Sequence, residues 1–110
     1  MRSNEQSPSQ DALGVFSDPP LLVLASLAAG AKHGHAMIDD IFEMSGNRLG
    51  PGTLYGAISR LERSGWIEAL PMEDRRRPYR LTADGRAFLE ARVCALRRFV
   101  SAGERRLGLA

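Results

Sequence analysis

The stretch GPGTLYGAISRLERSGWIEA, spanning Gly50–Ala69, decides the fold. Pro51 suits the first position of a helix because its ring pre-sets the helical φ. At 100° per residue, three apolar residues fall within about 60° of one another: Leu54, Ile58 and Leu61. The stretch therefore predicts an amphipathic helix that begins at Pro51, packs its apolar side on a core and ends before Gly65.

The opposite side of this predicted helix is bare and basic. It carries Gly52, Gly56, Ser59 and Arg63, flanked by Thr53 and Arg60. A glycine inside a helix costs about 1 kcal/mol relative to alanine, so Gly56 weakens the helix that contains it. Because small residues let a helix backbone approach another surface closely, we interpret this side as a contact face.

Two helices are predicted upstream of this stretch. In SDPPLLVLASLAAG, Asp18 can cap a helix that has two prolines in its first turn and ends at Gly30. Its nearly continuous apolar composition predicts a buried central helix. In HGHAMIDDIFEMSGN, the predicted core face is Ile38, Ile41 and Phe42, and the predicted solvent face is Asp39, Asp40 and Glu43.

Two short strands and a last helix are predicted downstream. WIEAL and PYRLT flank PMEDRRR, a turn with three successive arginines, and we expect Trp66 to pack under this loop. Thr82 can cap a helix that runs from Ala83 to about Ala102. Its apolar stripe consists of Leu89, Val93, Leu96 and Val100, widened by Phe88, Ala95 and Phe99. The stripe is longer than a small core can cover, which predicts a homodimer through this helix.

The order of these elements is typical of a winged helix-turn-helix. In that fold the third helix enters the major groove of DNA and the wing reaches the neighbouring backbone. The predicted fold class is mainly α with a small β-hairpin, a winged helix-turn-helix followed by a long C-terminal dimerisation helix. The predicted DNA-binding residues are Gly52, Thr53, Tyr55, Gly56, Ser59, Arg60, Arg63, Arg75, Arg76 and Arg77.

Three segments carry a family resemblance: LLVLASLAAGAKHGHAMID, LGPGTLYGAISRLERSGWIE and RPYRLTADGRAFLE. Together they resemble the PadR family of bacterial transcriptional regulators, in particular its compact branch with a short C-terminal dimerisation helix. The sequence departs from the family pattern at Gly50, where a serine cap is frequent, at Gly56, where proline is frequent, and at His35, where tyrosine is usual. The resemblance implies a ligand-responsive homodimeric repressor that binds a palindromic operator. It also implies a small aromatic effector between subunits, for which Phe88 and Phe99 are candidates, although core packing is the stronger interpretation of both.

Charge distribution agrees with a nucleic-acid partner. The 110 residues have a net charge of +2, but residues 1–49 carry three basic and six acidic side chains and residues 50–110 carry twelve and seven. Fourteen of the fifteen basic residues are arginine, which favours bidentate contacts with phosphate. The alternative is a winged-helix module that binds proteins, but such a module should expose apolar side chains where this sequence has arginines.

Other function classes find little support. No catalytic constellation, phosphate-binding glycine loop, cofactor motif or membrane-length apolar run is present, and one cysteine excludes an intramolecular disulfide. These features predict a cytoplasmic protein that is not an enzyme. His33 and His35 lack further metal ligands and we expect a structural role for them. Cys94 lies near Arg97 and Arg98, and we favour a tolerated small residue there over redox sensing.

The predicted organisation has three parts. Residues 1–17 form a flexible tail, residues 18–82 a DNA-binding domain, and residues 83–110 a dimerisation helix and tail.

Overall fold

The computed structural model describes residues 17–109, so the predicted tail lies outside the described residues except for Ser17. In this range, six helices and strands surround one core, and a long helix extends from it. In chain order the elements are α1 (Pro19–Ala28), β1 (Lys32–His33), α2 (Gly34–Ser45), α3 (Pro51–Arg63), β2 (Ile67–Ala69), β3 (Pro78–Leu81) and α4 (Ala83–Leu107). Within the described range, no helix is both long and apolar enough to cross a membrane.

Helix α1 is the central helix, as its composition predicts. The Asp18 carboxylate accepts a hydrogen bond from the Leu21 amide at 3.2 Å. Asp18 is therefore the N-cap of α1, as the sequence predicts. Its leucines and Val23 are buried and pack on α2, α3 and α4. The chain leaves the helix through Gly30 at φ 148°, a conformation that favours glycine.

Helix α2 corrects two sequence predictions. Phe42 does not join the core: it is 44% exposed, and the Arg48 guanidinium lies 4.4 Å above its ring. Met37 occupies the core with Ile41, because a spacing of four residues places both on the side that faces α1. Asp40 does not simply face water, since it accepts a 2.6 Å hydrogen bond from the buried Ser26 hydroxyl and pairs with Lys32 at 3.8 Å.

The sheet has one strand more than the predicted hairpin. Strands β2 and β3 pair antiparallel as expected, and β1 adds to the other edge of β3, giving the order β1-β3-β2. Lys32 lies opposite Tyr79, and His33 opposite Pro78. Two residues are too few to show an alternating pattern, so β1 has no signal in the sequence. Its pairing brings the start of α2 beside the wing.

Helix α4 begins as predicted and continues further. The Thr82 hydroxyl accepts a hydrogen bond from the Gly85 amide at 3.0 Å, and the helix ends at Leu107 rather than near Ala102. Trp66 does not pack under the wing: its ring stacks on Phe88 with centroids 3.9 Å apart. Gly85 is required at this crossing, because a Cβ there would overlap the Trp66 carbonyl oxygen. The first turns of α4 are thereby held on the domain.

Candidate nucleic-acid interface

The outer face of α3 is exposed along its whole length. All seven predicted DNA-contacting residues of this helix lie there: Gly52, Thr53, Tyr55, Gly56, Ser59, Arg60 and Arg63. The buried side consists of Leu54, Ala57, Ile58 and Leu61. Among the described residues, no atom lies within 4 Å of where a Cβ on Gly52 or Gly56 would stand. Internal packing therefore gives no reason for glycine at either position, whereas close approach by another surface does.

The start of α3 has a positive character. Gly50 occupies the N-cap position and provides no side-chain hydrogen bond to the first amides. The first turn contains no acidic residue that would oppose the partial positive charge of a helix N-terminus. Arg60 and Arg63 add positive charge at the other end. The N-terminal end of α3 therefore attracts an anionic partner, and the two arginines lie with Glu62 at the other end.

The wing has a defined tip. Glu73 and Arg76 exchange two backbone hydrogen bonds, each 2.8 Å long, around a two-residue turn. Asp74 and Arg75 in this turn have φ of 47° and 66°, values typical of the mirror-image turns that close hairpins. The second position of such a turn favours glycine, so an arginine there is held in a costly conformation. This backbone places the Arg75 side chain at the tip of the wing.

The other two wing arginines each contact another part of the fold. Arg76 Nη1 lies 3.2 Å from His33 Nε2, and Arg77 Nη1 donates to the Leu70 carbonyl oxygen at 2.8 Å. Both side chains are nevertheless exposed, as is Arg75. The wing thus presents its three arginines from a hairpin that is tied to β1 on one side.

A cleft of about 290 Å³ separates the wing from α3 and the start of α2. Its lining is His33, Gly34, His35, Tyr55, Met72, Arg75, Arg76 and Arg77. Gly34 permits the observed position of the Tyr55 ring, since a Cβ there would overlap the Tyr55 hydroxyl and displace this side chain. The glycine therefore lets Tyr55 lie directly against the first turn of α2. The sequence analysis did not assign four of these lining residues to the DNA-binding surface: His33, Gly34, His35 and Met72.

Tyr79 stands behind this surface on β3 and is partly buried. Burial raises the pKa of its hydroxyl, and the negative charge of Glu62 and the neighbouring Tyr55 raise this pKa further, whereas Arg77 lowers it. The phenol therefore stays neutral at physiological pH. Tyr79 supports the sheet beneath the wing and adds no negative charge that would repel an anion.

His33 has two contacts, one with each ring nitrogen. Nδ1 accepts from the Ala36 amide at 3.4 Å and so caps α2, while Nε2 faces Arg76. The cap is a structural role of the kind that the sequence predicts for His33. Across residues 17–109, no group of three or more His, Cys, Asp and Glu side chains is arranged to hold a metal ion.

The predicted dimer-interface residues divide between two environments. Leu89 is buried in the core of its own chain, and Leu96 is half-buried against that core. Val93 and Val100 are 42% and 51% exposed. Leu89, Val93 and Leu96 also line an apolar groove of about 420 Å³, together with Leu21, Leu22, Ala25, Met44 and Ser45. The stripe thus starts inside the domain and continues onto an open surface.

Phe88 and Phe99, the two candidate effector-binding residues, do not lie close to each other. Phe88 is occupied by its stack with Trp66, in agreement with the core-packing interpretation. Phe99 is 74% exposed and lines a shallow groove with Arg98, Arg105 and other residues of α4. Eleven residues along a helix separate the two by about 16 Å. Within one subunit they cannot contact the same small ligand.

Comparisons with known proteins agree with this geometry. The model described as the Transcriptional regulator PadR-like family matches residues 23–91, which include the core, the wing and the first turns of α4. An uncharacterized 37.1 kDa protein in transposon TN4556 of Streptomyces fradiae is 44% identical over 82 residues. That alignment covers 74% of this chain and 24% of the relative, so this chain spans about a quarter of the relative's length.

Solved structures share the fold. A PadR family transcription regulator from Clostridium difficile R20291 superimposes with a TM-score of 0.71 at 24% identity, covering 81% of this chain and 96% of that one. RosR from H. salinarum superimposes with a TM-score of 0.65 at 25% identity, covering 86% of each chain. The small sheet and the helical core that place the cleft are therefore those of a known group of proteins.

Proposed function

The chain belongs to the PadR-like family of transcriptional regulators, whose members are not enzymes, and we propose that it binds double-stranded DNA in a sequence-specific manner. In this proposal α3 lies in the major groove with its bare face against the bases, and the wing arginines contact phosphates beside the groove. The observation that carries the proposal is that Tyr55 of α3 lines one cleft with the three wing arginines, while the glycines and both arginines of the same helix are exposed.

The proposal extends to a homodimeric repressor with a palindromic operator. The exposed part of the α4 stripe, with Val93, Phe99 and Val100, is an apolar surface that a second copy would cover. Two copies related by a twofold axis present two α3 helices, which matches an operator with two related half-sites. Such a protein acts in the cytoplasm, where its DNA is.

A small aromatic effector completes the proposed regulation. Phe99 and the arginines beside it are exposed on α4, so a planar ligand held between two such helices would alter the angle between the subunits. The ligand shifts DNA affinity only if it binds one arrangement better than the other. Calorimetry with phenolic compounds and planar cations tests this part, and no binding by any of them together with unchanged repression in cells would contradict it.

DNA binding itself is tested by selecting duplexes from a random pool with the purified protein. Enrichment of a palindromic sequence, followed by tight binding of that duplex and weaker binding of a scrambled one, is the expected result. A protein-interaction module would enrich no sequence. The arginine-rich surface favours DNA over that alternative, because guanidinium groups pair with phosphate in a bidentate geometry.

A further inference from the structure

In the cleft between the wing and α2, the His33 ring faces two hydrogen-bond donors and cannot accept from both. His33 Nε2 lies 3.2 Å from Arg76 Nη1, and His33 Nδ1 lies 3.4 Å from the Ala36 amide nitrogen. The guanidinium and the amide are both obligatory donors. A neutral imidazole has only one acceptor nitrogen, because the other carries the proton.

Each tautomer of His33 therefore leaves one conflict. If Nε2 accepts from Arg76, then Nδ1–H points at the Ala36 amide and the cap of α2 is lost. If Nδ1 accepts from Ala36, then Nε2–H faces an Arg76 N–H. The fully protonated ring has both conflicts, since both of its nitrogens donate.

An anionic oxygen at the edge shared by His33 and Arg76 removes the conflict. His33 keeps Nδ1 as the acceptor that caps α2, and Nε2–H and Arg76 both donate to the oxygen. Arg75 and Arg77 line the same cleft, so the local charge favours an anion. The space of about 290 Å³ admits a single phosphodiester group and its neighbouring sugar edge.

On this basis we propose that His33 and Arg76 together bind one backbone phosphate of the DNA. The inference rests on the proposed function and adds to it a binding residue outside α3 and the wing. His33 becomes part of the DNA-binding surface, and β1 acquires a function, since its pairing with β3 is what holds His33 beside the wing.

Duplexes with single neutral methylphosphonate linkages test the shared phosphate. The duplex is the one selected from the random pool, and the neutral linkage is moved along both strands. Wild-type protein should lose affinity about tenfold at one linkage per half-site that contacts this pair. The variants His33→Ser and Arg76→Ala should each lose clearly less affinity than wild type at a neutral linkage in that same position, because each lacks one of the two donors. Ser is a good helix cap, so His33→Ser keeps the α2 cap and removes only the second donor.

Affinity measurements with the unmodified duplex complete the test. His33→Ser should weaken binding about threefold to tenfold with thermal stability close to wild type. The double variant should lose less than the product of the two single losses, because both side chains serve one phosphate. Arg92→Ala, which removes an α4 arginine that pairs with Asp18 at the start of α1, is the control and should retain the wild-type linkage pattern.

The outcomes separate this inference from the proposed function. If wild-type protein binds no duplex, the proposed function is wrong and this inference is wrong with it. If wild-type protein binds but His33→Ser retains full affinity, or if the two variants lose sensitivity at different linkages, only the shared phosphate site is wrong.

Discussion

Helices α3 and α4 both have exposed residues, but the large apolar side chains that they expose differ in number. The α3 face consists of glycines, small polar residues and arginines, with the wing arginines beside it. The α4 face carries Val93, Phe99 and Val100 in open positions. A bare basic face loses little when it meets a hydrated polyanion, whereas an apolar face gains only when it is covered by another apolar surface. The comparison supports the proposal that the α3 face binds DNA and that the apolar residues of α4 contact a second copy.

The largest effect is expected where the α4 face is made charged. Val93→Glu should give monomers and abolish operator binding, because a dimer would bury two carboxylates in an apolar contact. Leu96→Glu should do the same, although its half-buried side chain makes the fold itself more sensitive. Sedimentation at micromolar concentration measures the oligomeric state. Ala91→Glu, about 160° around the helix from Val93, is the control and should remain dimeric. A dimeric Val93→Glu protein would show that this face is not the interface.

The next largest effect should come from removing the wing arginines together. Alanine at Arg75, Arg76 and Arg77 should weaken binding to operator and scrambled duplex by nearly equal factors, because phosphate contacts carry no sequence information. Each lost contact should reduce the slope of log affinity against log salt by about one unit, so a dimer with two wings should lose several. A salt titration on both duplexes measures this. Selective loss of operator preference would instead assign base recognition to the wing.

A smaller and more selective effect is expected on α3. Ser59→Ala or Arg63→Ala should weaken operator binding by about 1–3 kcal/mol and change binding to scrambled DNA less. Both side chains are exposed and remote from the core, so stability should be unchanged within about 0.5 kcal/mol. Parallel titrations of the two duplexes give the ratio of operator affinity to scrambled-duplex affinity for each variant. An equal loss on both would mean that these residues contact backbone and not bases.

The smallest effect is expected from Gly56→Ala, which should raise stability and lower DNA affinity. Gly56→Ala should stabilise the fold by about 0.5–1 kcal/mol, because alanine favours a helix and the added methyl group meets open space. The same methyl group should weaken DNA binding if the α3 backbone approaches the groove closely. Thermal unfolding and operator titration of the one variant measure both. Higher stability with unchanged affinity would remove the functional reason for this glycine.

Local patterns determined much of the fold. Asp18 and Thr82 were identifiable as caps because a capping side chain acts on amides two or three residues away. The core side of α3 followed from its spacing for the same reason, since helical periodicity orders neighbouring residues without help from the rest of the chain. The candidate surface on α3 was therefore available from one segment alone, as was the arginine run of the wing.

Only the tertiary structure decided which distant residues meet. His33 and Arg76 are 43 positions apart, and their contact depends on the pairing of β1, a strand too short to show a pattern. Met37 is buried and Phe42 is exposed because the rest of the core covers the side of α2 that carries Met37. Trp66 stacks on Phe88 because α4 crosses closely at Gly85. Periodicity states which residues share a face, but burial and contact arise when faces pack, and that packing depends on all elements at once.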